Sequence, residues 1–201
     1  MFKQVIVLFS IVLLLLSSCN NQSQSDNNSA VNVMSDYKRV SADEICSIEV
    51  PAYYWEINEF DTDVLIQYGF IDTLVDSTAL LEQDVVYVTT SVFYKMDLQK
   101  ILGDSMQFDL LEFNNDFVEN LDKALDGVRP EHQTPQINTH NGVKNLHNEI
   151  YGCYGDDLVY YQIGLFETEI AYYQVLTWCL QDHLAKHKDE MFKMTTSFKE
   201  I

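Results

Sequence analysis

The sequence predicts an α+β domain, a mainly antiparallel β-sheet flanked by helices in an α/β/α sandwich. Short runs of alternating apolar and β-branched residues recur from Ile45 to Cys179, and two of them are joined only by Glu167-Thr168-Glu169, a link of hairpin length. Along that hairpin Tyr161, Ile163 and Leu165 fall on one side and Leu158, Tyr160 and Phe166 on the other, so both faces of the sheet need cover. Two further segments change to the three-and-four spacing of an amphipathic helix and supply that cover.

In chain order, Ile45 to Val50 alternates and stops at Pro51, before the bulky group Tyr53-Tyr54-Trp55. Val64 to Ile71 and Val85 to Tyr94 read as strands, separated by a connection that includes Asp76, Ser77, Gln83 and Asp84. Leu110, Phe113, Phe117, Leu121 and Leu125 then mark a helix ending at Gly127 and shut off by Pro130. Arg129 to Asn145 is polar, holds two of the three prolines, and reads as the longest loop. Leu146 to Tyr154, Leu158 to Phe166 and Ile170 to Cys179 read as strands. The last helix spans about Gln181 to Phe198, with Leu180, Leu184, His187, Met191, Met194 and Phe198 along one stripe.

The order of these elements resembles a family. Ser47-Ile48-Glu49-Val50-Pro51 before an aromatic group, and Tyr173-Gln174-Val175-Leu176-Thr177-Trp178 leading into a helix that ends Ser197-Phe198-Lys199, look like the PsbP-like fold. That fold is shared by photosystem PsbP proteins, a Ran-binding nuclear import factor of the Mog type and mycobacterial LpqN-type lipoproteins. The resemblance runs from about residue 45 to the end. It implies an antiparallel sheet flanked by helices and a non-enzymatic binding or assembly role. It carries no functional residue across, because the members bind unrelated partners.

The start of the chain reads as an address. Lys3 is followed by a largely apolar run from Val5 to Leu16, shorter than the roughly 20 residues that cross a bilayer as a helix, so residues 1–18 read as a signal peptide. Leu16-Ser17-Ser18-Cys19 resembles the lipobox of bacterial lipoproteins, which makes Cys19 the lipidation site and the membrane contact. Asn20 after the cysteine, by resemblance to lipoprotein sorting in double-membraned bacteria, favours the outer membrane. From Asn20 to Ser29 every residue is Asn, Gln, Ser or Asp, a composition that cannot bury enough apolar area to offset its ordering entropy. Residues 19–39 are therefore read as lipidated cysteine plus tether, and 40–201 as one domain.

The 201 residues carry 31 acidic and 12 basic side chains, a formal charge of −19 that opposes any nucleic-acid partner. Neither GxGxxG, GxxxxGK[ST] nor GxSxG occurs, so no nucleotide loop, nucleophile elbow or cofactor motif is expected. Cys46, Cys153 and Cys179 permit one disulfide and one free thiol. His147, Glu149 and Cys153 share one side of a strand, but His147 and Cys153 would lie about 20 Å apart along it, too far for a catalytic pair. Gly164 interrupts a strand, the mark of a bulge or a close backbone approach.

Three groups remain as candidate sites. His183 and His187 lie one helical turn apart with Glu190 close by, a spacing that suits a metal; the ordinary alternative is a packed His187 with one partner. Asp61 and Asp63 sit in an acidic stretch with Glu56 and Glu59, oxygen-rich enough for calcium though unlike an EF-hand, the alternative being a solvated turn. Tyr53, Tyr54 and Trp55 are candidate partner-binding anchors, since such residues bury much area with few rotors; core filling is the alternative. The expectation is a lipid-anchored extracytoplasmic binding or assembly protein without catalytic activity, meeting a protein partner in the cell envelope. A small-ligand, calcium- or metal-binding lipoprotein is the alternative, followed by an envelope hydrolase.

Overall fold

Apolar residues fall on both faces of the chain between residues 159 and 179, and this hairpin lies in the middle of the sheet. The computed structural model describes residues 37–57, 64–71, 84–102, 109–124, 128–130, 135–140, 142–154 and 157–201. Cys19, the leader, most of the tether, Asp61 and Asp63 lie outside them. The strands and helices are β1 (Tyr37–Ala42), β2 (Cys46–Pro51), β3 (Trp55–Glu56), β4 (Val64–Ile71) and β5 (Val85–Tyr94), then α1 (Lys95–Leu102) and α2 (Leu110–Ala124). They continue with β6 (Val128–Pro130), β7 (Ile137–His140), β8 (Val143–Tyr154), β9 (Asp157–Glu167), β10 (Ala171–Leu180), α3 (Leu184–Thr196) and β11 (Lys199–Glu200).

An eight-stranded sheet runs β3-β4-β5-β10-β9-β8-β6 with β7 also on β8, and a three-stranded sheet runs β1-β2-β11. All described pairings are antiparallel. The β9–β10 hairpin forms at the expected link: Glu167 pairs with Tyr172, and the Thr168 amide donates to the Ala171 carbonyl at 2.9 Å. Because successive side chains alternate, β9 sends Tyr161, Ile163 and Leu165 to one core and Tyr160 and Phe166 to the other. Leu158 departs from this pattern and is 41% exposed, since the cover on its side does not extend to that end of the strand.

One face is covered by α2. Asp109 and Glu112 form a reciprocal cap at its start, the Glu112 amide donating to Asp109 Oδ1 at 2.8 Å and the Asp109 amide to Glu112 Oε2 at 3.1 Å. The helix buries Leu110 and Leu121 against Leu146, Ile150 and Ile163, and Phe113 stacks on Tyr172 at 5.2 Å. The opposite face is covered by α3 and by the small sheet, which together enclose Ile48, Val50, Tyr173, Val175, Met191 and Met194. Each such fully buried aliphatic side chain contributes roughly 2 kcal/mol. The layering is the α/β/α sandwich that the two apolar hairpin faces require.

Four boundaries differ from the sequence reading. β1 opens at Tyr37, where Tyr37 pairs with Pro51 and Lys38 with Val50, three residues before the expected domain boundary. The Arg129–Asn145 loop contains β6, β7 and the start of β8; Pro130 fits because β6 is an edge strand. Lys95–Leu102 is helical, its start tied down by the Lys95 amide donating to the Ile170 carbonyl at 2.9 Å. The final helix is shorter: a 3-10 turn at Gln181–His183 precedes α3, and Phe198 lies beyond it, stacked on Phe166 at 4.3 Å. Among the described residues no helix is long and apolar enough to cross a membrane.

Candidate functional site

The aromatic group after β2 and the histidines of α3, read separately in the sequence, meet in one place. The turn after Pro51 leaves Tyr53 and Trp55 38% and 42% exposed and buries Tyr54 to 1%. Phe70 of β4 lies beneath them, its ring 5.1 Å from Tyr53 and 6.2 Å from both Tyr54 and Trp55. The result is a ledge of two exposed rings on a packed aromatic base. Tyr54 belongs to the core and presents no surface to a partner.

Below the ledge lies a polar network centred on the buried Asp84 and His187. The Tyr53 hydroxyl donates to Glu190, 2.7 and 2.8 Å from its two oxygens. Glu190 Oε2 is 3.2 Å from His187 Nδ1, and His187 Nε2 is 2.8 Å from Asp84 Oδ1. Lys186 donates to the other Asp84 oxygen, and His183 Nδ1 lies 3.5 Å from Oδ1. His187 is 1% exposed and Asp84 6%. His187 sets one ring nitrogen against each carboxylate, so neither nitrogen is left facing a substrate.

Electrostatics follow the geometry. Burial pushes the Asp84 carboxyl up, but hydrogen bonds and charge from Lys186 and His187 outweigh it and hold the pKa below the ordinary value. The Tyr53 hydroxyl is pushed far above its usual range, first by burial and then by Glu190. Lys186 also lies over Phe70, 5.6 Å from the ring centre. Tyr53 is thus held from below by its hydrogen bonds to Glu190 and its edge-on contact with Phe70.

His183 and His187 both turn towards Asp84, and among the described residues no group of three or more His, Cys, Asp or Glu is arranged to hold a metal ion. Glu190 serves Tyr53 and His187 together. Asp84 is the member sequence reasoning missed, because it stands 103 residues from His187. Cys46, Cys153 and Cys179 are all free thiols. Burial raises Cys46 to about 11 and Cys179 to about 12, so neither is a thiolate at neutral pH. His147 is pushed down by burial and lies between the rings of Phe166 and Phe192, at 5.9 and 6.2 Å.

No family model matches the chain, and no curated protein sequence does. Solved structures do match. The cyanobacterial PsbP of Synechocystis sp. PCC 6803 aligns with a TM-score of 0.51 at 14% identity, covering 88% of this chain and 98% of its own. The fold is PsbP-like. LpqN, involved in cell envelope biogenesis of Mycobacterium tuberculosis, aligns at 0.49 and 12% identity over 84% of this chain and 92% of its own. PA94, a protein of unknown function from Pseudomonas aeruginosa, aligns at 0.42 and 12% identity over 76% and 89%. On the PsbP-like scaffold of this chain, the ledge includes Trp55 of β3, the strand at the end of the described sheet order.

Proposed function

We propose that the chain is a lipid-anchored, extracytoplasmic binding or assembly protein that engages a protein partner through the Tyr53–Trp55 ledge. The lipobox-like Leu16-Ser17-Ser18-Cys19 and the polar stretch after it support the anchor and the tether. The observation that carries the reading is the ledge: two exposed aromatic rings on a packed base, one of them tied through Glu190 to the buried His187–Asp84 pair. A preorganised aromatic anchor loses little rotamer freedom on docking, which is what an interface hot spot requires. In an enzyme a buried His–carboxylate pair would present one free nitrogen to substrate; here Glu190 occupies it.

A photocrosslinking residue at position 55, in the full-length chain in cells, tests the reading. A discrete adduct that disappears when Tyr53 is replaced by alanine is the expected result. Turnover of a cell-envelope substrate with no adduct at position 55 would overturn it.

A further inference from the structure

A second feature lies at the other end of the central strands. Ala171 of β10 pairs with Tyr94 of β5, whereas Cys179 pairs with Val86 near the ledge, so the two ends are separated by about 27 Å of strand. At the Ala171 end, Ile45, Ile170 and Ile201 converge with the rings of Tyr94 and Tyr173 around an open recess of about 310 Å³. Ile170 and Ile201 are 61% and 62% exposed, a marked amount for isoleucine. Glu44, Glu169 and Glu200 complete the lining.

The three glutamates have no ion-pair partner among the described residues. Neighbouring lysines are committed elsewhere: Lys95 and Lys144 both pair with Glu167, at 2.9 and 3.2 Å. Lys199 adjoins Glu200 on β11 and so projects to the other side of that strand. The Tyr173 hydroxyl donates to Glu200 Oε1 at 3.0 Å and orients that carboxylate. The recess therefore combines an apolar wall, the exposed ring of Tyr94 and uncompensated negative charge.

We propose that this recess receives a lysine or arginine side chain carried on an apolar segment of a protein partner. The isoleucines take the methylene stem, the exposed Tyr94 ring and the glutamates take the cationic head, and the exposed Ile170 and Ile201 pack against the apolar flanks. Charge excludes an acidic segment. A volume at the lower limit for small-ligand pockets suits one long side chain better than a whole ligand, and no group of three acidic side chains here is arranged for a metal ion. The inference rests on the reading that the chain docks a protein, and adds the chemistry of that partner.

The test uses the full-length chain with methyl-labelled isoleucine, titrated with the blocked peptide Ala-Leu-Lys-Leu-Ala, its twin with Gln for Lys, and n-hexylammonium. The lysine peptide is expected to shift the Ile45, Ile170 and Ile201 methyl signals saturably. The glutamine twin and the Glu44→Gln, Glu169→Gln double variant should each bind about tenfold more weakly, and both glutamates are exposed, so the melting temperature should hold. Silence at these methyls, or equal binding of the glutamine twin, overturns the proposal. Hexylammonium binding as tightly as the peptide also overturns it, in favour of a free amine. Crosslinking from position 55 reads the broader function separately: an adduct there with a silent recess leaves that function standing and removes only this inference.

Discussion

Asp84 and the two neighbouring tyrosines show how much one side chain decides here. The Asp84 carboxyl has a folded-state pKa below its ordinary value, so the folded chain binds fewer protons than the unfolded one at mildly acid pH. Its stabilisation is therefore present above the unfolded value near 4 and is lost as pH falls through the lower folded value. Asp84→Asn should be less stable than wild type at pH 7 and show a shallower fall below about pH 4; urea midpoints at pH 7, 4 and 3 measure both. Glu167, held low by Lys95 and Lys144 against its own burial, leaves part of the slope in the variant. Asp84→Ala, which leaves the buried His187 without its partner at Nε2, should cost about 2 kcal/mol. Tyr53 and Tyr54 should respond in opposite senses to loss of the hydroxyl. Tyr53→Phe removes the bond to Glu190 and should cost about 1 kcal/mol, whereas the Tyr54 hydroxyl is buried without a hydrogen-bond partner among the described residues, so Tyr54→Phe should be neutral or stabilising. The sequence marked all three aromatic positions alike, because which of them faces the core depends on a turn and not on residue type.

Between elements, the tightest junction is α3 on β9. A Cβ at Gly164 would collide with the Thr195 carbonyl oxygen, which is fixed by helical backbone. Gly164→Ala should therefore push α3 off the sheet at a cost of about 2 kcal/mol, read as a lower guanidinium midpoint. Asp109→Ala removes half of the cap of α2 and should cost about 1 kcal/mol by the same measurement. Gly164 was legible as a close approach because a glycine inside an apolar strand has few other reasons to be there. Strands β4, β5, β8, β9 and β10 were legible from alternation, and α2 from its period. The strands β6 and β7 were not, since runs of three or four residues at or near a proline are too short to carry a period and owe their extension to pairing with β8. Helix α1 has Leu98, Ile101 and Leu102 at helical spacing, but eight residues are too few to stand apart from the strand before them.

For the molecule as a whole, all 31 acidic side chains lie after residue 18, and the proposed tether would hold such a domain away from anionic lipid. Cys19→Ala in cells should abolish fatty-acid labelling and move the chain to the soluble fraction, while the melting temperature of the domain stays unchanged; persistent labelling would remove the anchor from the proposed function. Composition, charge, alternation and helical period are properties of consecutive residues, and from them the sequence by itself determined an antiparallel sheet covered on both faces. The tertiary structure alone decided that β1, β2 and β11 close a second sheet over one face, that Asp84 meets His187, and that Glu44, Glu169 and Glu200 border one recess. Each of these joins segments far apart in the chain, and their meeting depends on strand order and register, which no local pattern encodes.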